Sequence, residues 1–127
     1  STSSRQYPRF TCSQQNDRFT VDDEITGNGD LTYPIGLVTT DEVVLAGGYS
    51  TNNYGYYLYT GNTYWTMSPN NFDGSTAFVR RVSSSGYASL SNYVYSSYGV
   101  RPTLNLIPDS LKVGSGTADD PYIVENA

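Results

Sequence analysis

Turn-forming residues divide the region from Tyr64 to Pro102 into segments too short for long helices or long strands. Turn signals recur about every 8 to 12 residues, which is typical of a meander of short antiparallel strands. The segments with strand composition are "YWTMSP", "TAFVRRV" and "GYASL", and they are separated by "NNFDGS", "SSSG" and "SNYVYSSYG". The sequence therefore predicts an irregular, mainly antiparallel sheet here.

The clearest signal before this region is a short helix that follows a buried strand, "IGLV". Thr39 and Glu42 have the spacing of a capping box, and Gly47 and Gly48 supply a left-handed stop. The pattern predicts a helix from about Thr40 to Ala46.

Four other segments have strand composition: "DRFTV", "YYLYT", "RPTLNLI" and "YIV". Val100, Leu104 and Leu106 alternate near the third of these and are predicted to close the core. A length of 127 residues without an internal repeat is that of one domain. We therefore predict a single α+β domain over residues 1–127, with short irregular antiparallel strands and one or two short helices.

The composition disfavours several classes of function. Histidine is absent and Cys12 is the only cysteine, whereas nucleophile triads and ordinary zinc sites need imidazole or several thiolates. Asp and Glu outnumber Lys and Arg by 12 to 7, a balance that disfavours a nucleic-acid partner. No apolar run approaches the ~20 residues of a membrane helix. We predict no enzymatic activity and no nucleic-acid binding, with membrane association only through a segment upstream.

Two features leave alternatives open. Cys12 is expected to be either a small buried side chain or half of a disulfide with an upstream partner. The acidic turns "DDEITGNGD" and "GSGTADDP" offer oxygen ligands to calcium, although neither has the spacing of an EF-hand. The alternative is that the Asp side chains in these turns bond their own backbone. We predict no required cofactor and leave calcium open.

Tyr, Ser and Asn fill the segments between the predicted strands. These residues are enriched in antibody-type binding loops, because Tyr gives large contact area at low entropy cost while Ser and Asn give adaptable hydrogen bonds. The alternative is that alternate tyrosines pack in the core. If Tyr93 and Tyr95 share one face, Val94 points to the other and becomes the core candidate.

The order of "YWTMSP", "GSTAFVRRV", "SSSGY" and "YGVRPTLNL" resembles the C-terminal half of a C-type-lectin-like domain, and more specifically the formylglycine-generating-enzyme-like branch of that fold. Two further segments, "YPIGLVTTDEVVLAGG" before this region and "GSGTADDPYIVE" after it, are similar to a domain of exported proteins of Gram-positive and gut bacteria. Some of these proteins are pilin-like. The matching positions in the second half are Trp65, Ser68, Gly86, Tyr98, Val100, Arg101 and Pro102.

The resemblance implies a C-type-lectin-like fold and a choice between functions. Sulfatase-modifying members of the branch need a pair of thiols, which Cys12 alone cannot supply. Calcium-dependent sugar-binding members carry Glu-Pro-Asn or Gln-Pro-Asp loops and a Trp-Asn-Asp run, which this sequence lacks. Other members are ligand-binding variable proteins diversified by retroelements, with Asn, Tyr and Ser at the variable positions.

We therefore expect an extracellular or cell-surface domain that recognises a protein or glycan ligand. It would form the C-terminal part of a longer surface protein, and the alternative is a structural module of a pilin-like or tail-like fibre. Arg101 is expected to be structural, stacked on an aromatic ring or bonded to loop carbonyls. The predicted ligand-binding residues are Asn70, Asn71, Phe72, Tyr87, Ser91, Asn92, Tyr93 and Tyr95.

Overall fold

The computed structural model describes residues 7–11, 32–33, 35–106 and 111–124, of which residues 111, 112 and 124 are described by their backbone alone. The predicted strand at 17–21, the acidic turn at 22–30 and Cys12 lie outside the described residues. The described part is a small α+β unit built from short antiparallel sheets and one short helix.

Helix α1 spans Thr40–Leu45 and begins with the predicted capping box. The Thr39 hydroxyl accepts from the Glu42 backbone N–H at 3.1 Å, and the Thr39 N–H donates to the Glu42 carboxylate at 2.7 Å. Gly47 has a φ of +100°, in the left-handed region where glycine ends helices. The prediction of the helix is confirmed, with an end one residue earlier than predicted.

The strands form three separate antiparallel sheets. Their order is β1–β5, β2–β3–β4 and β6–β7, and the prediction of a mainly antiparallel arrangement is confirmed for the described residues. The strand bounds are β1 Gly36–Leu37, β2 Tyr64–Phe72, β3 Ala77–Val82, β4 Leu90–Tyr93, β5 Pro102–Thr103, β6 Leu111–Val113 and β7 Ile123–Val124.

The three-stranded sheet has two faces with different surroundings. On the inner face, Tyr64 and Val82 are paired and buried beside the helix. On the outer face, Trp65 and Arg81 are paired, and both side chains lie against the ring of Tyr98. The centroid of the Trp65 ring and the guanidinium carbon of Arg81 are each 5.0 Å from the centroid of the Tyr98 ring. Alternate residues of a strand point to opposite faces, so this register assigns the remaining positions of β3 and β4 to one face or the other.

The core of the described residues lies at one end of the inner face, between α1 and the sheet. Val43 is the fully buried contact of the helix, and Thr66 of β2 lies against it through a hydroxyl contact with Thr40 at 3.2 Å. The buried apolar residues are Val38, Val43, Tyr56, Tyr64, Val82 and Ala88.

Arg101 has the structural role predicted for it. Its guanidinium donates to the carbonyl oxygen of Leu58 at 2.8 Å and lies over the ring of Tyr64 at 5.0 Å. These two contacts tie the segment that precedes β5 to the core.

Two further predictions from the sequence are wrong. "YYLYT" forms turns instead of a strand, and Tyr57 within it is 90% exposed. Val100, Leu104 and Leu106 do not close the core, because all three are exposed. The physical reason in the second case is that β5 extends over two residues and pairs with the equally short β1. Among the described residues, the alternation therefore continues where no second layer covers it.

The fourth strand is displaced along the chain relative to the prediction. "GYASL" was expected to be a strand and the following segment a break, but β4 contains Ser91, Asn92 and Tyr93. The prediction of Val94 as a core residue is also wrong, since its side chain is exposed. Val94 lies in a turn closed by a bond from the Ser96 N–H to the Tyr93 carbonyl at 3.0 Å, where the strand alternation has already ended.

Candidate functional site

Several predicted ligand-binding residues meet at the end of the inner face farthest from the core. Asn71, Phe78 and Tyr93 are neighbours across β2, β3 and β4, and paired residues of adjacent strands lie on the same face. The residues that the structure brings together there are Asn70, Asn71, Ser91, Tyr93 and Tyr95.

Three aromatic rings follow one another in a series, which we call the aromatic ladder: Phe78, Tyr93 and Tyr95. The ring centroids of Phe78 and Tyr93 are 4.6 Å apart with planes tilted by 43°, and those of Tyr93 and Tyr95 are 5.0 Å apart with planes only 5° from parallel. The turn after β4 brings Tyr95 back over Tyr93. Tyr95 ends the ladder and is 72% exposed.

Asn70, Asn71 and Ser91 form a row of polar groups beside the ladder, which we call the polar row. The Asn70 side-chain amide donates to the Ser91 hydroxyl at 3.2 Å and also to the side-chain oxygen of Asn71. A bulge in β2 between Pro69 and Asn71 makes this possible, since an extra residue in one strand re-aims the side chains beside it. The row therefore presents amide and hydroxyl groups along a fixed line.

Three of the predicted ligand-binding residues lie elsewhere or are already occupied. Phe72 is exposed but pairs with Ala77, so its register places it on the outer face. The Asn92 amide donates to the Tyr98 hydroxyl at 2.5 Å and accepts from the Tyr93 N–H at 2.8 Å. Tyr87 forms an isolated parallel β-bridge with Tyr49, at the end of β3 that lies opposite to the ladder.

A cleft of about 300 Å³ lies between α1 and the inner face of the sheet. The helix contributes Thr40, Asp41 and Val44, while Ser68 and Arg80 come from β2 and β3. None of the predicted ligand-binding residues lines it. The remaining lining residues are Tyr7, Arg9, Ser50, Pro69, Ala88 and Ser89.

Hydrogen bonds fix the walls of this cleft. The Thr40 N–H donates to the Ser68 hydroxyl at 2.9 Å, which joins the helix to the sheet. Arg80 Nη1 donates to the carbonyl of Ser89 at 2.5 Å, and Asp41 accepts from the backbone N–H of Arg9 at 2.6 Å. The cleft thus holds both a guanidinium and a carboxylate, each oriented by a backbone partner.

The cleft and the aromatic ladder lie on the same face of the sheet. Arg80 lines the cleft, and Phe78, two residues away on β3, is the first ring of the ladder. Across the strand, Arg80 is paired with Ser91 of the polar row. The three features therefore form one continuous surface from α1 to Tyr95. The sequence predicted the far half of this surface but not the cleft, whose residues come from six separated segments without a common motif.

Metal binding has limited support in the described residues. No group of three or more His, Cys, Asp or Glu side chains there could hold a metal ion. In the acidic turn from Gly114 to Pro121, the Asp120 carboxylate accepts from the Ser115 N–H at 2.9 Å, as expected of a turn that bonds its own backbone. Within the same described residues, the structure contains no helix with the length and hydropathy of a membrane span.

Comparison with known proteins assigns the chain to a family. Residues 21–108 match the family described as "Domain of unknown function (DUF6273)", and since this is more than half of the chain, the chain belongs to that family. The matched region includes α1, the three-stranded sheet and the polar row, and it ends before β6. No protein with a curated description and no solved structure matches the chain.

Proposed function

We propose that this chain is a non-enzymatic recognition domain that binds a macromolecular or glycan ligand through the aromatic ladder and the polar row. The observation that carries this proposal is the exposure of Tyr95, whose ring ends the ladder and is stacked on Tyr93. Tyr gives large contact area with few side-chain torsions to immobilise. A stack that is already formed reduces this cost further, because fewer rotamers are lost on binding.

The polar row supports the same proposal. Asn70, Asn71 and Ser91 place hydrogen-bonding groups next to an apolar ring surface, and a ligand site typically combines such a surface with a few well-placed polar groups. Asn92 is outside the proposed site because its pairing with Val79 places it on the outer face, where its amide bonds the Tyr98 hydroxyl. Phe72 and Tyr87 are also left out, since they lie on the outer face and at the other end of the sheet.

We further propose a C-type-lectin-like fold and an extracellular or cell-surface location, both of which rest on the resemblance of the sequence. The structural roles of Arg101 and of the Trp65 ring beside Tyr98 support the fold. The lack of an imidazole or a thiol pair supports a non-enzymatic function. Protein and glycan ligands are both compatible with the ladder and the polar row considered alone.

Assembly into a fibre is the second candidate, and one contact at the sheet edge disfavours it. Strand β4 is an edge of the three-stranded sheet, and an unpaired edge is where another chain adds a strand. The outward N–H of Tyr93 is instead bonded to the side chain of Asn92. A concentration-dependent increase in mass of the purified chain, lost on Tyr95→Ala, would favour assembly over ligand recognition.

The proposal is tested by binding the purified chain to arrays of glycans and surface proteins, with and without calcium. Tyr95→Ala should weaken binding of any specific ligand at least about tenfold, as expected for an aromatic hot spot. Tyr57→Ala is the matched control, because Tyr57 is 90% exposed but lies outside the ladder and the cleft. Equal binding by both variants and the unaltered chain would contradict the proposal.

A further inference from the structure

The cleft between α1 and the sheet has the size and lining of a small binding site. Its volume of about 300 Å³ is at the lower limit of ligand pockets, which range over about 300–1,000 Å³. The contact between Thr40 and Ser68 connects its two walls directly, so the cleft is formed before any ligand arrives. A pre-formed site binds with a smaller entropy cost than one that must be ordered.

The lining favours a ligand that both donates and accepts hydrogen bonds at many positions. Arg80 offers only donors and the Asp41 carboxylate only acceptors, while the lining hydroxyls do both. Those hydroxyls belong to Tyr7, Thr40, Ser50, Ser68 and Ser89. A sugar hydroxyl likewise donates and accepts, so a polyhydroxylated ring matches this mixture better than an apolar side chain does.

The cleft carries charges of both signs, two guanidinium groups and one carboxylate. The charged residues of the lining are Arg9, Asp41 and Arg80, and the carboxylate lies in the same cleft as the guanidinium groups. A carboxylate or phosphate ligand would meet the like charge of Asp41, and an amine would meet the arginines. The chain itself has a net charge of -5, which further disfavours an anionic ligand.

We propose that the cleft binds a neutral sugar unit of a glycan whose chain continues along the polar row and over the aromatic ladder. This inference rests on the proposed recognition function and specifies its ligand class. Two residues along a strand correspond to about 7 Å, so Arg80 in the cleft and Phe78 in the ladder are separated by a distance that a short oligosaccharide spans. The ring faces of the ladder would meet the C–H face of a second sugar, since aromatic faces carry partial negative charge.

The test uses the 127-residue chain and a panel of neutral oligosaccharides built from hexoses and N-acetylhexosamines. A bound oligosaccharide is then titrated calorimetrically against Ser50→Phe, which fills the cleft, and Ser84→Phe, which adds the same ring at an exposed position outside the cleft lining. We expect Ser50→Phe to weaken binding at least tenfold and Ser84→Phe to leave it unchanged. Tyr95→Ala should also weaken binding, because the same glycan chain reaches the ladder.

A second cleft variant protects the test against misfolding of Ser50→Phe. Asp41→Asn keeps the size of the side chain and replaces one acceptor-only oxygen with an amide donor. It should weaken binding of the oligosaccharide about fivefold or more, while its amide NMR spectrum stays dispersed like that of the unaltered chain.

Three outcomes would overturn the inference, and they separate it from the proposed function. Loss of glycan binding in Tyr95→Ala but not in either cleft variant would support the recognition function and contradict the cleft as a sugar site. Binding of a protein ligand that depends on Tyr95, with no neutral sugar bound, would support the recognition function and contradict a glycan as its ligand. A chain that binds no sugar and no protein would contradict both the recognition function and the sugar site.

Discussion

Tyrosines at the two ends of the inner face of the sheet have opposite environments. Tyr64 is 2% exposed, its hydroxyl donates to the Leu58 carbonyl at 3.0 Å, and the Arg101 guanidinium covers its ring. Tyr95 is 72% exposed, and its ring stacks on Tyr93. One residue type thus builds the core at one end and an accessible aromatic surface at the other. The abundance of tyrosine in this sequence therefore has two separate structural reasons.

The largest expected effect comes from the turn that closes the core end. Gly86 has a φ of +77°, and a Cβ there would overlap the carbonyl oxygen of Asn53. Gly86→Ala should therefore lower the free energy of unfolding by roughly 4 kcal/mol or more. Single substitutions have so large an effect through only a few mechanisms, and strain at a special backbone conformation is one of them. Urea denaturation followed by circular dichroism measures this. Gly74→Ala is the control, since Gly74 also has a positive φ but open space around its Cβ position, and an equal loss in both variants would contradict the steric explanation.

The two tyrosines themselves give the direct contrast in stability. Tyr64→Ala should cost about 3–5 kcal/mol, as for other large aromatic truncations in a core. Tyr95→Ala should change the free energy of unfolding by no more than about 0.5 kcal/mol, as for surface substitutions. Both values come from urea titrations under the same conditions. A loss of more than about 2 kcal/mol in Tyr95→Ala would show that the ladder is part of the folding core.

The hydroxyls of the two buried tyrosines at the core end, Tyr56 and Tyr64, differ in their hydrogen bonds. The Tyr56 hydroxyl is buried and makes no hydrogen bond of ordinary geometry among the described residues. Burial, with a smaller contribution from the neighbouring Tyr64 hydroxyl, raises the pKa of Tyr56 well above its usual range. An unsatisfied buried polar group costs about 1–3 kcal/mol, so Tyr56→Phe should be neutral or stabilising by up to about 1 kcal/mol. Tyr64→Phe is the matched control and should destabilise by about 1 kcal/mol, because it removes a hydroxyl that has a partner. Equal destabilisation in both variants would contradict the difference between the two hydroxyls.

The smallest expected effect concerns the turn at the ladder end, between β2 and β3. The backbone N–H groups of Ser75 and Thr76, with the hydroxyl of Ser75, bond the Asp73 carboxylate and hold its pKa below the ordinary value of 3.8. A depressed pKa in the folded state gives stability that is present above the unfolded value and is lost as the pH falls through the folded value. Asp73→Asn should therefore flatten the acid limb of the stability profile slightly. An NMR titration that places the Asp73 carboxyl at or above 3.8 would contradict this.

Local signals predicted the helix and strands β2 and β3 well, whereas β4 lies later in the chain than predicted. The capping box of Thr39 and Glu42 acts within one turn, so its outcome depends on no distant residue. Arg101 was also assigned correctly, because an arginine next to a proline suits a bond to a loop carbonyl. The exposure of Val100, Leu104 and Leu106 was not predictable from their alternation, which shows a strand face but not whether another layer covers it.

The candidate site was predicted in part for a similar reason. Composition identified Tyr93, Tyr95 and Asn71, since Tyr and Asn in a turn-rich segment favour a binding surface. It could not separate Phe72 from Tyr93, because the bulge in β2 decides the face of Phe72 and the pairing with Phe78 decides the face of Tyr93. The cleft was not predicted because residues about 40 positions apart, such as Thr40 and Arg80, form its walls. Such residues come together only in the folded chain.

Mapping a bound ligand onto the chain by NMR chemical shifts tests whether recognition uses the inner face of the sheet. We expect the amide signals that shift to belong to the inner face beyond the core, at Asn70, Asn71, Phe78, Ser91, Tyr93 and Tyr95. The signals of Tyr57 and of β6 and β7 should stay in place. Shifts that instead cluster around Trp65, Arg81 and Tyr98 on the outer face would contradict this expectation and place recognition on the opposite side of the sheet.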